Sequence, residues 1–154
     1  MNVSRRFVAM VFPVMLLFFS AVVLLAAPPA QYAPPPSIKP SAEILKKIVE
    51  RKDKLGGVLR QFRQLGVHDP VLADIEVYYK AASWITRHDE FYHKDAGEWT
   101  VEALERGLLR ASQQFQGETP WYQQAGSTVV HGYRSQIDGS VQPYACLLYT
   151  SDAA

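Results

Sequence analysis

The run from Phe7 to Ala27 constrains this chain most, because it is apolar almost without a break and holds no charge. A segment with no polar face cannot lie as an ordinary amphipathic element on the outside of a small core. Arg5 and Arg6 stand just before it, giving the positive and then hydrophobic order of a secretory signal. Its length also matches the roughly 20 residues that span a bilayer, so an uncleaved anchor with the amino terminus inside is the alternative. Ala26, Ala27 and Ala30 offer small residues for cleavage, while Pro28 and Pro29 crowd the junction. In both cases export to the periplasm, the exterior or an inner-membrane anchor is expected. Membrane contact is expected only through residues 7–27, if they are retained.

Residues 28–40 hold six prolines in thirteen positions. Proline removes a backbone donor and fixes φ, so this stretch reads as a stiff spacer rather than helix or sheet. What remains is one small domain at most. Its partners are bounded by charge: 16 Lys+Arg stand against 15 Asp+Glu, a net charge of +1. Nucleic-acid binding by counterion release needs a clustered basic excess, so that class is set aside. Cys146 is the single cysteine and has no internal disulfide partner, which leaves stability to the core.

Helical periodicity begins after Pro40. Ser41 suits an N-cap, and Ile44, Leu45, Ile48 and Val49 recur at three and four residues with Glu43, Lys46, Lys47, Glu50 and Arg51 outside. Gly56-Gly57 predicts a bend or a new short helix. Val58, Leu59, Phe62 and Leu65 then resume the period up to Gly66, a C-terminal stop. Asp69-Pro70 opens a second helix predicted from Pro70 to about Phe91, with Leu72, Ile75, Tyr79, Ala82 and Ile85 on one face. Thr100 is expected to cap a third, whose Val101, Leu104, Leu108, Ala111 and Phe115 share a side until Gly117. Short connections favour antiparallel packing, with Leu72, Ile75, Tyr79, Ala82, Leu104, Leu108, Ala111 and Phe115 in one core.

Beyond Pro120 the pattern changes to strand. Thr128-Val129-Val130 is β-branched, and Asp138-Gly139 separates residues 133–137 from 140–144 as a hairpin turn. The expected fold class is therefore mainly α, an antiparallel helical region over 41–117 followed by a loop and β-hairpin over 118–145. A lone hairpin is marginal in water, so these strands are expected to begin a larger sheet.

Candidate chemistry is thin, and no catalytic, cofactor or metal residue is assigned. His88 and His93 flank a polar cluster, yet they are five apart and so about 140° around a helix, whereas a zinc helix sets its histidines four apart. Asp89 and His93 are spaced to pair on one helix face, a structural role. Ser127, His131 and Asp138 supply the residue types of a triad but flank strand positions, with no oxyanion cradle and no Gly-x-Ser-x-Gly turn. Glu98, Glu102 and Glu105 read as the solvated start of a helix. Trp84, Trp99, Trp121, Tyr78, Tyr79, Phe91 and Tyr92 favour packing over an exposed aromatic platform.

Two resemblances complete the picture. Gly66–Pro70, Leu72–Tyr78, His88–Tyr92 and, most specifically, Gly132–Tyr144 make residues 55–145 resemble the amino-terminal portion of exported bacterial α/β-hydrolases of the prolyl-oligopeptidase-like serine peptidase or esterase type. The resemblance implies that the hairpin opens a hydrolase sheet, that the helices form an accessory region beside or over that domain, and that serine, acid and histidine follow later. On that reading the missing carboxy-terminal hydrolase domain is the partner and this chain is inactive by itself; an exported helical binding module is the other reading. Cys146–Ala154 resembles the conceptual translation of a transposon-derived sequencing adaptor read through as coding sequence. With no cap, turn or stripe of its own, 146–154 is expected to be a non-native tail, against a natural frayed terminus.

Export is tested by fractionating cells that express the chain. The protein is expected in the membrane or periplasmic fraction, and a wholly cytoplasmic product would contradict the reading of residues 1–27.

Overall fold

Ser41 does cap the first helix, its hydroxyl accepting a hydrogen bond from the Ile44 amide at 3.3 Å. This computed structural model describes residues 34–149, so the signal or anchor segment, most of the spacer and the chain after Tyr149 lie outside the described residues. Helix α1 spans Ala42–Gln64, α2 Val71–His88 and α3 Ala96–Phe115. A 3-10 turn at Pro120–Tyr122 leads to strand β1, Thr128–Arg134, which pairs antiparallel with β2, Val141–Leu147. The mainly helical fold ending in a hairpin is the one expected. Among the described residues no helix is long and apolar enough to cross a membrane.

Each helix packs on the other two, and α2 also carries the hairpin. The core takes Ile48, Leu55, Leu59 and Phe62 from α1, Leu72, Ala73, Ile75, Val77, Tyr78 and Ala82 from α2, and Leu104 and Ala111 from α3. Of the expected core, Tyr79 and Leu108 are half-buried and Phe115 is exposed. Phe115 still packs at a tilt against Phe62, at a centroid distance of 4.5 Å, as the last residue of α3 on the rim of the bundle.

Gly56-Gly57 does not break α1. A Cβ at Gly56 would stand 3.0 Å from the Tyr79 ring, so the missing side chain allows α2 to approach. Gly107 does the same in α3, where a Cβ would lie 2.7 Å from Leu55 and 3.0 Å from Tyr78. Here tertiary contact outweighs the ~1 kcal/mol that glycine costs inside a helix.

Helix ends differ from expectation by a few residues. α2 stops at His88, because Asp89 takes a left-handed φ of 54° and turns the chain before Phe91. Asp69 does not cap α2; its carboxylate bonds Arg134 of β1 at 2.8 Å. α3 starts at Ala96, so Thr100 lies inside it, donating to the Ala96 carbonyl at 2.7 Å. The end of the spacer packs: Ile38 donates to the Phe91 carbonyl at 2.6 Å, and Pro40 fills the space beside Gly97.

The hairpin is built on a different register from a two-residue Asp138-Gly139 turn. Tyr133 opposes Gln142 and Arg134 opposes Val141, with Ser135 and Ser140 closing a four-residue loop that ends on Gly139 at φ 70°. β2 also runs past Ala145, since Cys146 opposes Val129 and Leu147 opposes Thr128. Backbone pairing on an exposed strand asks little of side-chain identity, so the lack of alternation there did not end the strand.

Leu104 and Leu109 are near neighbours on α3, the first fully buried and the second 59% exposed. Leu104→Ala is expected to cost about 2–5 kcal/mol in urea unfolding, and Leu109→Ala less than about 0.5. Equal effects would mean that α3 faces the core with a different side.

Candidate functional site

Asp74, in the first turn of α2, is the one carboxylate wholly removed from solvent among the described residues. Burying a charge costs several kcal/mol unless donors replace the lost water. Three do. Trp121 Nε1–H donates to Oδ2 at 2.9 Å, the Gly132 amide to Oδ1 at 2.7 Å, and His131 Nδ1 lies 3.1 Å from Oδ2. The backbone carbonyl of the same residue accepts from Arg110 Nη1 at 3.0 Å. One aspartate thus joins α2, α3, the 3-10 turn and β1.

Aromatic rings close the shell. His131 lies between Tyr122, at 5.5 Å, and Tyr144, at 5.3 Å, both stacked on its faces. The Tyr122 hydroxyl is sealed without a hydrogen-bond partner. Burial, and then the adjacent Asp74 carboxylate, hold its pKa well above the ordinary tyrosine value. Burial raises Tyr78 in the same direction, and raises the more exposed Tyr144 as well.

An aspartate oriented on the Nδ1 of a histidine is the supporting half of a hydrolytic triad, but a triad also needs a hydroxyl or thiol on the second ring nitrogen. Among the described residues none is bonded there. Ser127 Oγ is engaged instead by the Gln124 amide at 2.7 Å. Asp138 is far from the acid's role: its carboxylate accepts from the Ser140 amide and hydroxyl at 3.1 and 2.9 Å in the hairpin loop. Those bonds hold its pKa below the ordinary value. The pair that the fold brings together is therefore Asp74 with His131, and its geometry is that of a tie.

The histidine cluster disperses as well. His88 packs tilted against Trp84 at 4.6 Å, and His93 stacks on Trp99 at 4.6 Å. His93 faces Asp95 at 3.6 Å rather than Asp89, because α2 has ended before either could share its face. No three His, Cys, Asp or Glu side chains among the described residues are grouped to hold a metal. Of the acidic trio, Glu105 pairs with Arg51 of α1. Trp121, Tyr78 and Phe91 are buried, Tyr79 is half-buried, and Trp84, Trp99 and Tyr92 are exposed.

Asp74 and Arg110 were missed from sequence, although a signal existed. Asp74 interrupts the apolar Leu72, Ala73, Ile75 stretch, and Arg110 adjoins Ala111 on the apolar side of α3. A charge within an apolar stripe marks a buried polar hub whose partners the stripe does not name. Comparison with protein-family models, curated proteins and solved structures finds no match to this chain.

Asp74→Ala leaves the Trp121 and Gly132 donors buried without an acceptor, and is expected to cost about 3–5 kcal/mol in urea unfolding. Loss of amide protection at Gly132 is expected alongside. A cost below about 1 kcal/mol would show that the hairpin is held by apolar packing alone.

Proposed function

We propose that this chain is the amino-terminal region of an exported serine hydrolase of the prolyl-oligopeptidase-like type, with the catalytic residues in sequence that follows it. The observation that carries the reading is the unequal state of the two strand edges. On β1 the Gly132 amide is taken by Asp74, and a Cβ there would collide with the Ala73 carbonyl, so α2 closes that edge. Because Gly132 donates outward, its opposite residue Pro143 turns its own nitrogen away from β1, as antiparallel alternation requires. The outer edge of β2 is capped at Val141, whose carbonyl accepts from Lys80 Nζ at 2.5 Å. Beyond it Pro143 and Ala145 are exposed with no outer partner among the described residues. The one edge left for sheet growth is that of β2, and only beyond Pro143, since Lys80 takes the Val141 carbonyl and Pro143 offers no donor. That is what an opening hairpin requires, and it agrees with the resemblance of Gly132–Tyr144.

The second reading, an exported helical binding module without activity, draws on Trp84, Trp99 and Tyr92. They are 51%, 53% and 42% exposed, Trp99 and Tyr92 lining the groove between α2 and α3 and Trp84 the groove between α2 and the hairpin. Large exposed aromatics favour contact with something.

One experiment separates the two. The uninterrupted gene is recovered and both lengths are assayed on ester and proline-containing peptide substrates. The 154-residue chain is expected to give no turnover. The longer product is expected to turn over substrate and to lose at least about 1000-fold when the serine of its Gly-x-Ser-x-Gly turn is replaced by alanine. A natural stop soon after Ala145, or turnover by the short chain that survives replacement of every serine, would end the hydrolase reading and favour the binding module.

A further inference from the structure

Arg110 is a cation in a place that disfavours one. It is 7% exposed, and its guanidinium carbon stands over the rings of Tyr78 and Trp121, 5.2 and 4.9 Å from their centroids. No carboxylate among the described residues forms an ion pair with it, because the Asp74 carboxylate is directed at Trp121, His131 and Gly132. Burial accordingly pushes its pKa down, with Arg106 adding repulsion against the opposing pull of Tyr78 and Asp74.

Contact with an aromatic ring attracts the cation but satisfies none of its N–H groups. One nitrogen, Nη1, donates to the Asp74 carbonyl. None of the others is a sealed donor without a partner, so they meet open space. That space is a cavity of about 550 Å³ which Arg110 lines together with Arg106, Leu109, Gln113, Tyr78 and Trp121. A planar fork of donors matches a carboxylate bidentately, and a second arginine and an amide at the same cavity extend the match. The aromatic and aliphatic walls suit an apolar body behind the anion.

We propose that this cavity binds small organic monocarboxylates with an apolar body, the carboxylate seated on the free edge of Arg110 with Arg106 beside it. A compact anion such as inorganic phosphate gains nothing from Trp121 or Leu109 and is the weaker ligand. The site stands independently of the hydrolase reading, since it uses no residue of the β2 edge.

The test uses the full 154-residue chain in nonionic detergent and follows the Arg110 Nε–H and Trp121 Nε1–H resonances. Benzoate is titrated against benzamide, its neutral isostere, and against inorganic phosphate. Saturable benzoate binding is expected, with benzamide and phosphate each at least about tenfold weaker. Arg110→Lys keeps the charge without the fork and is expected to lose saturation. Because that variant also disturbs a buried position, Leu109→Glu and Arg106→Gln at exposed positions are measured too. Each is expected to weaken benzoate about tenfold without altering the unfolding midpoint. Benzamide binding as tightly as benzoate, phosphate binding as tightly as benzoate, shifts that never saturate, or unchanged benzoate affinity in Leu109→Glu would each overturn the proposal.

Discussion

The Asp74 carboxylate is the constraint on which the rest of the arrangement depends. A charge this deep is tolerated only with its donors in place, and charge-assisted hydrogen bonds contribute roughly 1.5–3 kcal/mol each once made. Its donors Trp121, His131 and Gly132 come from far along the chain and reach it only when the hairpin has docked on α2. Apolar contact alone would let β1 slide or rotate on the helix, since hydrophobic burial has no direction. The carboxylate fixes the position. Gly132 is part of the same device, because only a residue without a side chain can bring its amide to Asp74 against the Ala73 backbone.

That anchoring explains how a two-stranded sheet persists here. Isolated hairpins are marginal because two strands bury little. In this chain Val129 and Val141 are buried, and Val141 joins the helical core, so the hairpin borrows the core of the bundle. An ion network adds a second, weaker tie: Glu76 of α2 meets Arg63 of α1 at 2.8 Å and Arg134 of β1 at 2.9 Å, while Arg134 also holds Asp69. These groups are partly solvated, so the network contributes less than its geometry suggests. Its effect is on register, because Arg134 is the last residue of β1 and bonds both Asp69 before α2 and Glu76 within it.

Periodicity made the three helices legible, together with the caps that depend on local chemistry, such as Ser41 and the left-handed glycines Gly66 and Gly117. Glycines that answer to a distant surface are not legible in the same way, and Gly56-Gly57, read as a bend, is one such case. Gly56 and Gly107 are indistinguishable in sequence from helix breakers, and only the Tyr79, Tyr78 and Leu55 side chains opposite them reveal their use. The hairpin was legible as a hairpin, but its register was not: Asp138-Gly139 fits both a two-residue turn and the end of the longer loop that forms. Asp74 and Arg110 were hidden for a similar reason. Periodicity reports which residues face inward, while a buried charge depends on donors that lie elsewhere in the chain. Nothing local to Leu72–Ile75 names Trp121.

The surface divides into two regions with different physics. The groove between α2 and the hairpin, about 670 Å³, is walled by Val77, Ala81, Trp84 and Pro143, and Pro143 is also on the open edge of β2. A strand added to that edge would run beside the groove, so apolar side chains on it would cover Trp84 and convert exposed aromatic area into core. Such a strand would account for the exposed tryptophan and the edge beyond Pro143 by one event, whereas a binding module accounts for the tryptophan by a partner and for the edge by its Lys80 cap and Pro143. The Arg110 cavity shares only Tyr78 with that groove. Its cation lies over aromatic rings, desolvated and without a carboxylate, and an added strand at β2 would not neutralise it. On the two proposals the regions would take different occupants: an extended apolar strand at the β2 edge, and an anion at Arg110.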